Sequence, residues 1–296
     1  MSIDIAVVPV AGHGTRLLPA TKSQPKEMLP VGRKPVVQYV AEELSAAQIR
    51  RVLFVTGARK SAIENHFDED QSLVEYLRES GREEELAELE FDRNKVDYFY
   101  TRQSRQLGLG HAVLCARPLV GNQPFAVALG DSIIGLHAQS TIMSRMLEEY
   151  DRTGADVIVA VEEVPPQDVK KYGIIEPAGP IGNRIDIRRL VEKPAVNEAP
   201  SNLAIAGRYV FSPRIFDELA LTKPGRGGEI QLTDAMQRVL EQGGRGVAMR
   251  LLPGEKRFDI GNFGSYFRAF FDFAISDPKY GESLRAHARK VLDSEG

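Results

Sequence analysis

Among 296 residues there is one cysteine and no tryptophan. Cys115 alone excludes an intrachain disulfide. It lies in Ala112-Val113-Leu114-Cys115-Ala116, where a small buried residue is expected rather than a nucleophile. The five histidines, His13, His66, His111, His137 and His287, show no Cys/His spacing of a zinc site. No Ser-His-Asp arrangement follows from their positions either. No apolar run is long enough to span a bilayer, and the first residues lack a basic region followed by an apolar stretch. A reduced, cytoplasmic setting is the expectation. Net charge is only −3, from 38 Lys and Arg against 41 Asp and Glu. That balance gives no support for a nucleic-acid or membrane partner, so an anionic substrate must be met by a local cluster of cations. No internal repeat or low-complexity linker interrupts the chain. What remains is 43% hydrophobic and 27% charged. That composition suits a soluble globular protein with a sizeable core, built as one large α/β domain or two smaller ones.

The stretch from Ile5 to Pro30 organises the rest. Ile5 to Val10 is short, apolar and β-branched, which reads as a buried strand. It empties into Ala11-Gly12-His13-Gly14-Thr15-Arg16. Two glycines around one residue allow a tight turn with exposed backbone N–H groups, a geometry that holds phosphate oxygens or a base edge. Arg16, Lys22 and Lys26 are cations suited to a polyphosphate. The loop is not a dinucleotide fingerprint, since Leu17 stands where a third glycine is required. It is not a Walker loop either, because no Gly-Lys-Ser/Thr closes it.

Beyond it, Val36, Val40, Leu44 and Ala47 form a helical stripe with Pro35 near its start. Val52 to Thr56 reads as a second buried strand, and Ser61-Ala62-Ile63-Glu64 as a capping box opening a second helix. This alternation predicts an α/β fold with a doubly wound, mostly parallel sheet. Glu83, Glu84 and Glu85 belong to a solvated acidic helix. Val96 to Tyr100 and Phe125 to Leu129 continue the strands, with a second glycine turn, Gly108-Leu109-Gly110, opening a helix between them. Ala155 to Val161 is a further strand. From Tyr172 to Phe211 the pattern becomes short strands and turns, read as a small β-rich insertion covering one end of the sheet. Helices close the chain, and Asn262 to Ile275 carries an aromatic stripe of Phe263, Phe267, Phe270 and Phe271. The expected layout is a single domain, 1–296. Residues 1–165 form a nucleotide-binding core, 166–260 a sugar-binding part, and 261–296 the C-terminal helices.

In an open parallel sheet, ligands sit outside the C-terminal ends of the strands. Gly12 to Arg16, Gln103, Asp131, Glu192-Lys193 and Asp259 all fall at such ends or just beyond. Asp131 and Asp259 each suit a turn or a helix cap. They also suit Mg²⁺, which takes one or two carboxylates alongside phosphate oxygens and water.

The opening string, with Pro25-Lys26-Glu27-Met28-Leu29-Pro30, resembles the start of the sugar-phosphate nucleotidyltransferases. The resemblance continues through Gly108 to Ala116, Ala199 to Phe211 and Gly228 to Ala235, and points to the uridylyltransferase branch. It implies a Rossmann-like nucleotidyltransferase fold and assembly as a homodimer or homotetramer. It also implies transfer of a uridylyl group from UTP to glucose 1-phosphate, giving UDP-glucose and pyrophosphate. In that family's pattern Ala11, Gly12, Gly14, Thr15, Gln103, Gly108 and Gly110 hold the nucleotide, with Gln103 reading the uracil edge. Tyr172, Gly173, Glu192, Asn202, Gly207 and Glu229 shape the sugar pocket. Asp131 and Asp259 bracket the metal, while Arg16, Lys26 and Lys193 offset phosphate charge. His13 and Gly130 depart from the branch pattern, and the glycine form is common among thymidylyltransferases. Use of dTTP or another sugar phosphate is the alternative. A non-catalytic nucleotide-sugar binder is a third reading, against which all five charged residues are kept.

Overall fold

The computed structural model describes residues 3–89 and 96–294. Its strands, in chain order, are β1 (Ile5–Pro9), β2 (Pro30–Val31), β3 (Lys34–Pro35), β4 (Arg51–Thr56), β5 (Asp97–Arg102), β6 (Phe125–Ala128) and β7 (Ser132–Ile134). They are followed by β8 (Val157–Glu163), β9 (Gly173–Pro177), β10 (Arg184–Glu192), β11 (Leu203–Phe211), β12 (Gly246–Arg250) and β13 (Arg257–Asp259). Nine of them form one sheet in the order β5-β4-β1-β6-β11-β8-β12-β10-β9. Strand side chains alternate between its two faces, and both faces are covered by helices. Val7, Leu53, Val55 and Val127 pack on one side with residues of the helices Leu109–Leu114, Ile215–Leu221 and Leu232–Glu241. Ala6, Val8, Val52, Phe54 and Ala126 pack on the other with Val36–Ala46 and Ile142–Thr153. The chain is thus an α/β protein with helices on either side of a central sheet.

The sheet is mixed rather than mostly parallel. β5, β4, β1 and β6 run parallel to one another, as do β8 and β12. β11 is antiparallel to both β6 and β8, and β10 is antiparallel to both β12 and β9. The strands from 173 to 211 are joined without helices between them, a connection too short for parallel crossovers. They also do not cap one end of the sheet. β11 runs through its middle with all nine residues buried.

Other local expectations change as well. Ser61 is the first helical residue of Ser61–Phe67 and makes no capping bond. The capping box is instead at Asn262, whose side chain accepts from Ser265 N while Ser265 Oγ accepts from Asn262 N. That excludes the N-cap role for Asp259, which lies in β13. The aromatic stripe of the helix Phe263–Ile275 faces outward: Phe267 is 61% and Phe271 50% exposed, while Ala269 and Phe273 make the buried contacts.

A third core cluster positions the chemistry. Leu17, Leu29, Ile133, Phe258, Ile260 and Phe273 join the opening loop, a small ribbon of β7 and β13, and the closing helix. Burying a Phe such as Phe273 is worth about 1.5–3 kcal/mol. Among the described residues, no helix is long and apolar enough to cross a membrane.

Candidate active site

Two clefts meet above the C-terminal ends of β1 and β6 and beside the middle of β11. The first, about 620 Å³, is walled by Ala11, Gly12, Gly14, Thr15, Arg16, Lys26, Gln103, Gly108, Asp131 and Glu229 among others. The second, about 870 Å³, is walled by Arg16, Asp131, Tyr172, Gly173, Glu192, Lys193, Gly207, Glu229, Arg257 and Asp259 among others. Arg16, Asp131 and Glu229 border both, so the seam between the clefts is where two ligands would touch.

The ribbon makes that seam. Asp131 and Asp259 are distant in sequence, but β13 pairs antiparallel with β7 so that Asp259 lies opposite Ser132. Ile260 N–H donates to Asp131 O at 3.0 Å. Lys26 Nζ donates to Asp131 Oδ2. Burial disfavours charge on both partners, yet their attraction overcomes it. Lys26 is held above its usual pKa by Asp131, Glu27 and Asp259, and Asp131 below its own by Lys26 and Arg16. Asp259 goes the other way. Burial and the like charge of Asp131 raise its carboxyl despite Arg257, Lys26 and Arg16. Two carboxylates held together against their repulsion are a place a cation would relieve. Among the described residues, no group of three or more acidic, His or Cys side chains gathers as a self-sufficient metal cage.

In the first cleft, Gly14 has φ +69, and its carbonyl accepts from Thr21 Oγ1 at 2.8 Å. A side chain at Gly12 would meet the end of Lys26 at 3.8–3.9 Å, so the loop and that cation lie side by side. Gln103 is 5% exposed. Its amide nitrogen donates to Gly108 O at 3.0 Å and lies 3.0 Å from His111 Nδ1. Burial, with Arg105 nearby, lowers the His111 pKa, favouring the neutral ring that can accept there. Gly130 answers to packing: a Cβ there would lie 2.5 Å from Val10 Cγ1.

In the second cleft, Thr233 Oγ1 donates to Glu192 Oε2 at 2.7 Å, and Lys193 Nζ sits 2.9 Å from Glu192 Oε1. Lys193 has φ +45, and its N–H donates to Tyr172 O at 2.9 Å. Gly173 is squeezed between these groups, since a Cβ would lie 2.7 Å from Thr233 Oγ1. Gly207, with φ +79, interrupts the pairing of β11 where the register with β8 shifts.

Two expected residues lie elsewhere. Asn202 is exposed at a turn and walls neither cleft. Gly110 lies behind the wall, where its N–H donates to Ile230 O at 2.9 Å and an added Cβ would strike that carbonyl at 2.7 Å. The glycine turn thus docks the Glu229-Ile230 segment. Residues that motif reading passed over also stand here. Gln106 Nε2 donates to Ala11 O at 2.6 Å. Glu27 and Lys60 form a buried pair at 2.8 Å under the Lys26 turn. Arg257 pairs with Glu162 at 2.6 Å and lies 4.4 Å from the centroid of the Tyr172 ring. The signal for Arg257 was its place two residues before Asp259, on the same side of a strand.

A family profile described as nucleotidyl transferase matches residues 5–274. A UTP–glucose-1-phosphate uridylyltransferase of Staphylococcus epidermidis is 42% identical over 289 residues, 98% of either chain. A UDP-glucose pyrophosphorylase structure from Acinetobacter baumannii superposes with a TM-score of 0.88 at 37% identity, covering 98% of this chain and 99% of that one. The UTP-bound enzyme from the same organism gives 0.87 at 38% identity, covering 97% and 98%.

Proposed function

The chain belongs to the nucleotidyl transferase family, and from that premise we propose that it transfers a uridylyl group from UTP to α-D-glucose 1-phosphate. A phosphate oxygen of the sugar phosphate attacks the α-phosphorus of UTP. A new P–O bond forms, the bond from the α-phosphorus to the bridging oxygen breaks, and pyrophosphate departs with that electron pair. UDP-glucose is the product. The observation that carries this reading is the seam: one arginine and two carboxylates, Asp131 and Glu229, border both clefts, with Lys26, Lys193 and Asp259 around them.

Such a transfer needs position and charge compensation, and no protein nucleophile. Arg16 binds the β- and γ-phosphates, matching their oxygens with its fork. Lys26 offsets charge at the nucleotide phosphates and Lys193 at the sugar phosphate. Gln103 reads the uracil edge, and Glu192 accepts from sugar hydroxyls. Asp131 and Asp259 fit Mg²⁺, a cation content with two carboxylates and phosphate oxygens; bound there, it would neutralise charge on the reacting phosphates. The exposed Phe267, Phe270 and Phe271 give an apolar face for the homodimer or homotetramer that the family resemblance implies.

The test is pyrophosphate release across a matrix of UTP, dTTP, ATP and GTP with glucose 1-phosphate, galactose 1-phosphate and N-acetylglucosamine 1-phosphate, with Mg²⁺ or with EDTA. UTP and glucose 1-phosphate with Mg²⁺ should give the highest kcat/KM. A faster dTTP reaction, or full turnover in EDTA, overturns the assignment. Gly173→Ala checks the sugar cleft. Its Cβ displaces Thr233 Oγ1 from Glu192, so KM for glucose 1-phosphate should rise about tenfold, the loss of roughly one hydrogen bond. KM for UTP should hold.

A further inference from the structure

We infer that Arg208, which the mechanism above leaves without a role, is a positioning residue that fixes Asp131 for metal binding. The inference rests on the reading that Asp131 and Asp259 hold Mg²⁺.

Arg208 lies on β11, at the centre of the sheet, with 0% exposure. A buried guanidinium must have its donors satisfied, and each of these partners is placed to matter. Nε and Nη2 grip the Glu43 carboxylate as a fork, at 3.0 and 2.7 Å. Glu43 comes from the helix Val36–Ala46 and is itself 2% exposed. Nη2 also donates to Ser132 O at 2.8 Å, and Nη1 to Gly207 O at 3.2 Å. Ser132 directly follows Asp131.

The turn that presents Asp131 is therefore tied on either side. Leu129 N–H donates to Gly207 O at 3.0 Å, and Ser132 O is held by the guanidinium. Gly207 O accepts from both Leu129 and Arg208, so one side chain links both ends of the turn. The Ser132 hydroxyl is buried and has no partner among the described residues, so its backbone carries the polar contact. An ion pair that served only to close the core has no need to reach the carbonyl beside a metal ligand. Glu43 sets the angle of the fork, and a rigid planar fork cannot turn without giving up one of its acceptors. Lysine, with one point charge, cannot hold Glu43 and Ser132 in the same geometry.

The test compares wild type with Arg208→Lys and, as a control, Glu149→Gln. Glu149 is also buried and pairs with Arg184 and Arg152 away from both clefts. Mn²⁺ binding to the protein–UTP complex is followed by water proton relaxation, alongside melting temperature and the Mg²⁺ concentration for half-maximal rate. Arg208→Lys should weaken Mn²⁺ binding and raise the Mg²⁺ requirement about 10- to 100-fold, as expected for partners that orient metal ligands. KM for glucose 1-phosphate at saturating Mg²⁺ should stay near wild type. Glu149→Gln should lower the melting temperature and leave the metal requirement unchanged. Should Arg208→Lys not fold, Glu43→Gln keeps the side-chain shape and should shift Mn²⁺ binding in the same direction. Wild-type Mn²⁺ binding in the arginine variant (or in Glu43→Gln where that replaces it), or an equal shift in the Glu149 control, overturns the inference. If wild type binds Mn²⁺ and the variant does not, yet no nucleotide and sugar phosphate react, the positioning role stands and the assigned reaction falls.

Discussion

An Asp131→Asn protein is expected to turn over about 10³-fold more slowly than wild type, at the upper end of what one charge-stabilising group contributes. Its melting temperature should fall too. Asp131 is the acceptor for Lys26 Nζ, and both side chains are largely covered, at 19% and 16% exposure. Asparagine keeps the shape and removes the charge, leaving a covered ammonium without its counter-ion. That costs roughly 1–3 kcal/mol. Asp259→Asn should lose activity to a similar degree with the opposite effect on stability. The Asp259 pKa is raised on folding by burial and by Asp131, so the folded state disfavours its ionised form. Above that raised pKa the charge weakens the fold, and a neutral amide removes the penalty. Melting curves at pH 7.5 beside initial rates decide the matter. A stable, inactive Asp259→Asn with a less stable, inactive Asp131→Asn is the expected pair. Full turnover in either variant, or a lowered melting temperature for Asp259→Asn, contradicts the assignment. Of the two, only Asp259 would hold its function at the expense of stability.

Arg16→Ala should separate the two properties more sharply. The residue is exposed, borders both clefts, and has no carboxylate within ion-pair distance among the described residues. Its neighbour Leu17 is 1% exposed and anchors the backbone. Removing the guanidinium therefore takes little from the fold, and the melting temperature should move by no more than a degree or two, as for ordinary surface changes. Turnover should drop about 10²- to 10³-fold through loss of charge stabilisation on the departing pyrophosphate. Steady-state rates at saturating UTP measure it, and a loss confined to KM would make Arg16 a binding residue only.

The parts of the site legible in the sequence were those carried by short contiguous strings. The glycine loop and Asp131 each follow an apolar run that is visible as a strand, so their place at its end could be read directly, while Lys26 was read from the string Pro25 to Pro30. Gly110 shows the limit: a glycine needed to let Ile230 approach looks the same in sequence as one needed by a ligand. The ribbon was not legible. Ser132-Ile133-Ile134 and Arg257-Phe258-Asp259 are too short for a period, and their pairing joins distant parts of the chain. Arg208 and Glu43 stand 165 residues apart, and neither lies in a pattern that announces a partner. The place of β11 was misread: the 173–211 region was taken as an insertion over one end of the sheet, but β11 runs through its middle, and an apolar run buried on both faces does not announce which strands it will lie between.

The ribbon carries a temporal consequence. One of its strands ends at Asp259, so the acidic pair cannot exist until the chain beyond that point has left the ribosome. Contacts so widely spaced close late and slowly, after the local helices and neighbouring strands have formed. A nascent polypeptide therefore carries the glycine loop long before the second carboxylate can join it.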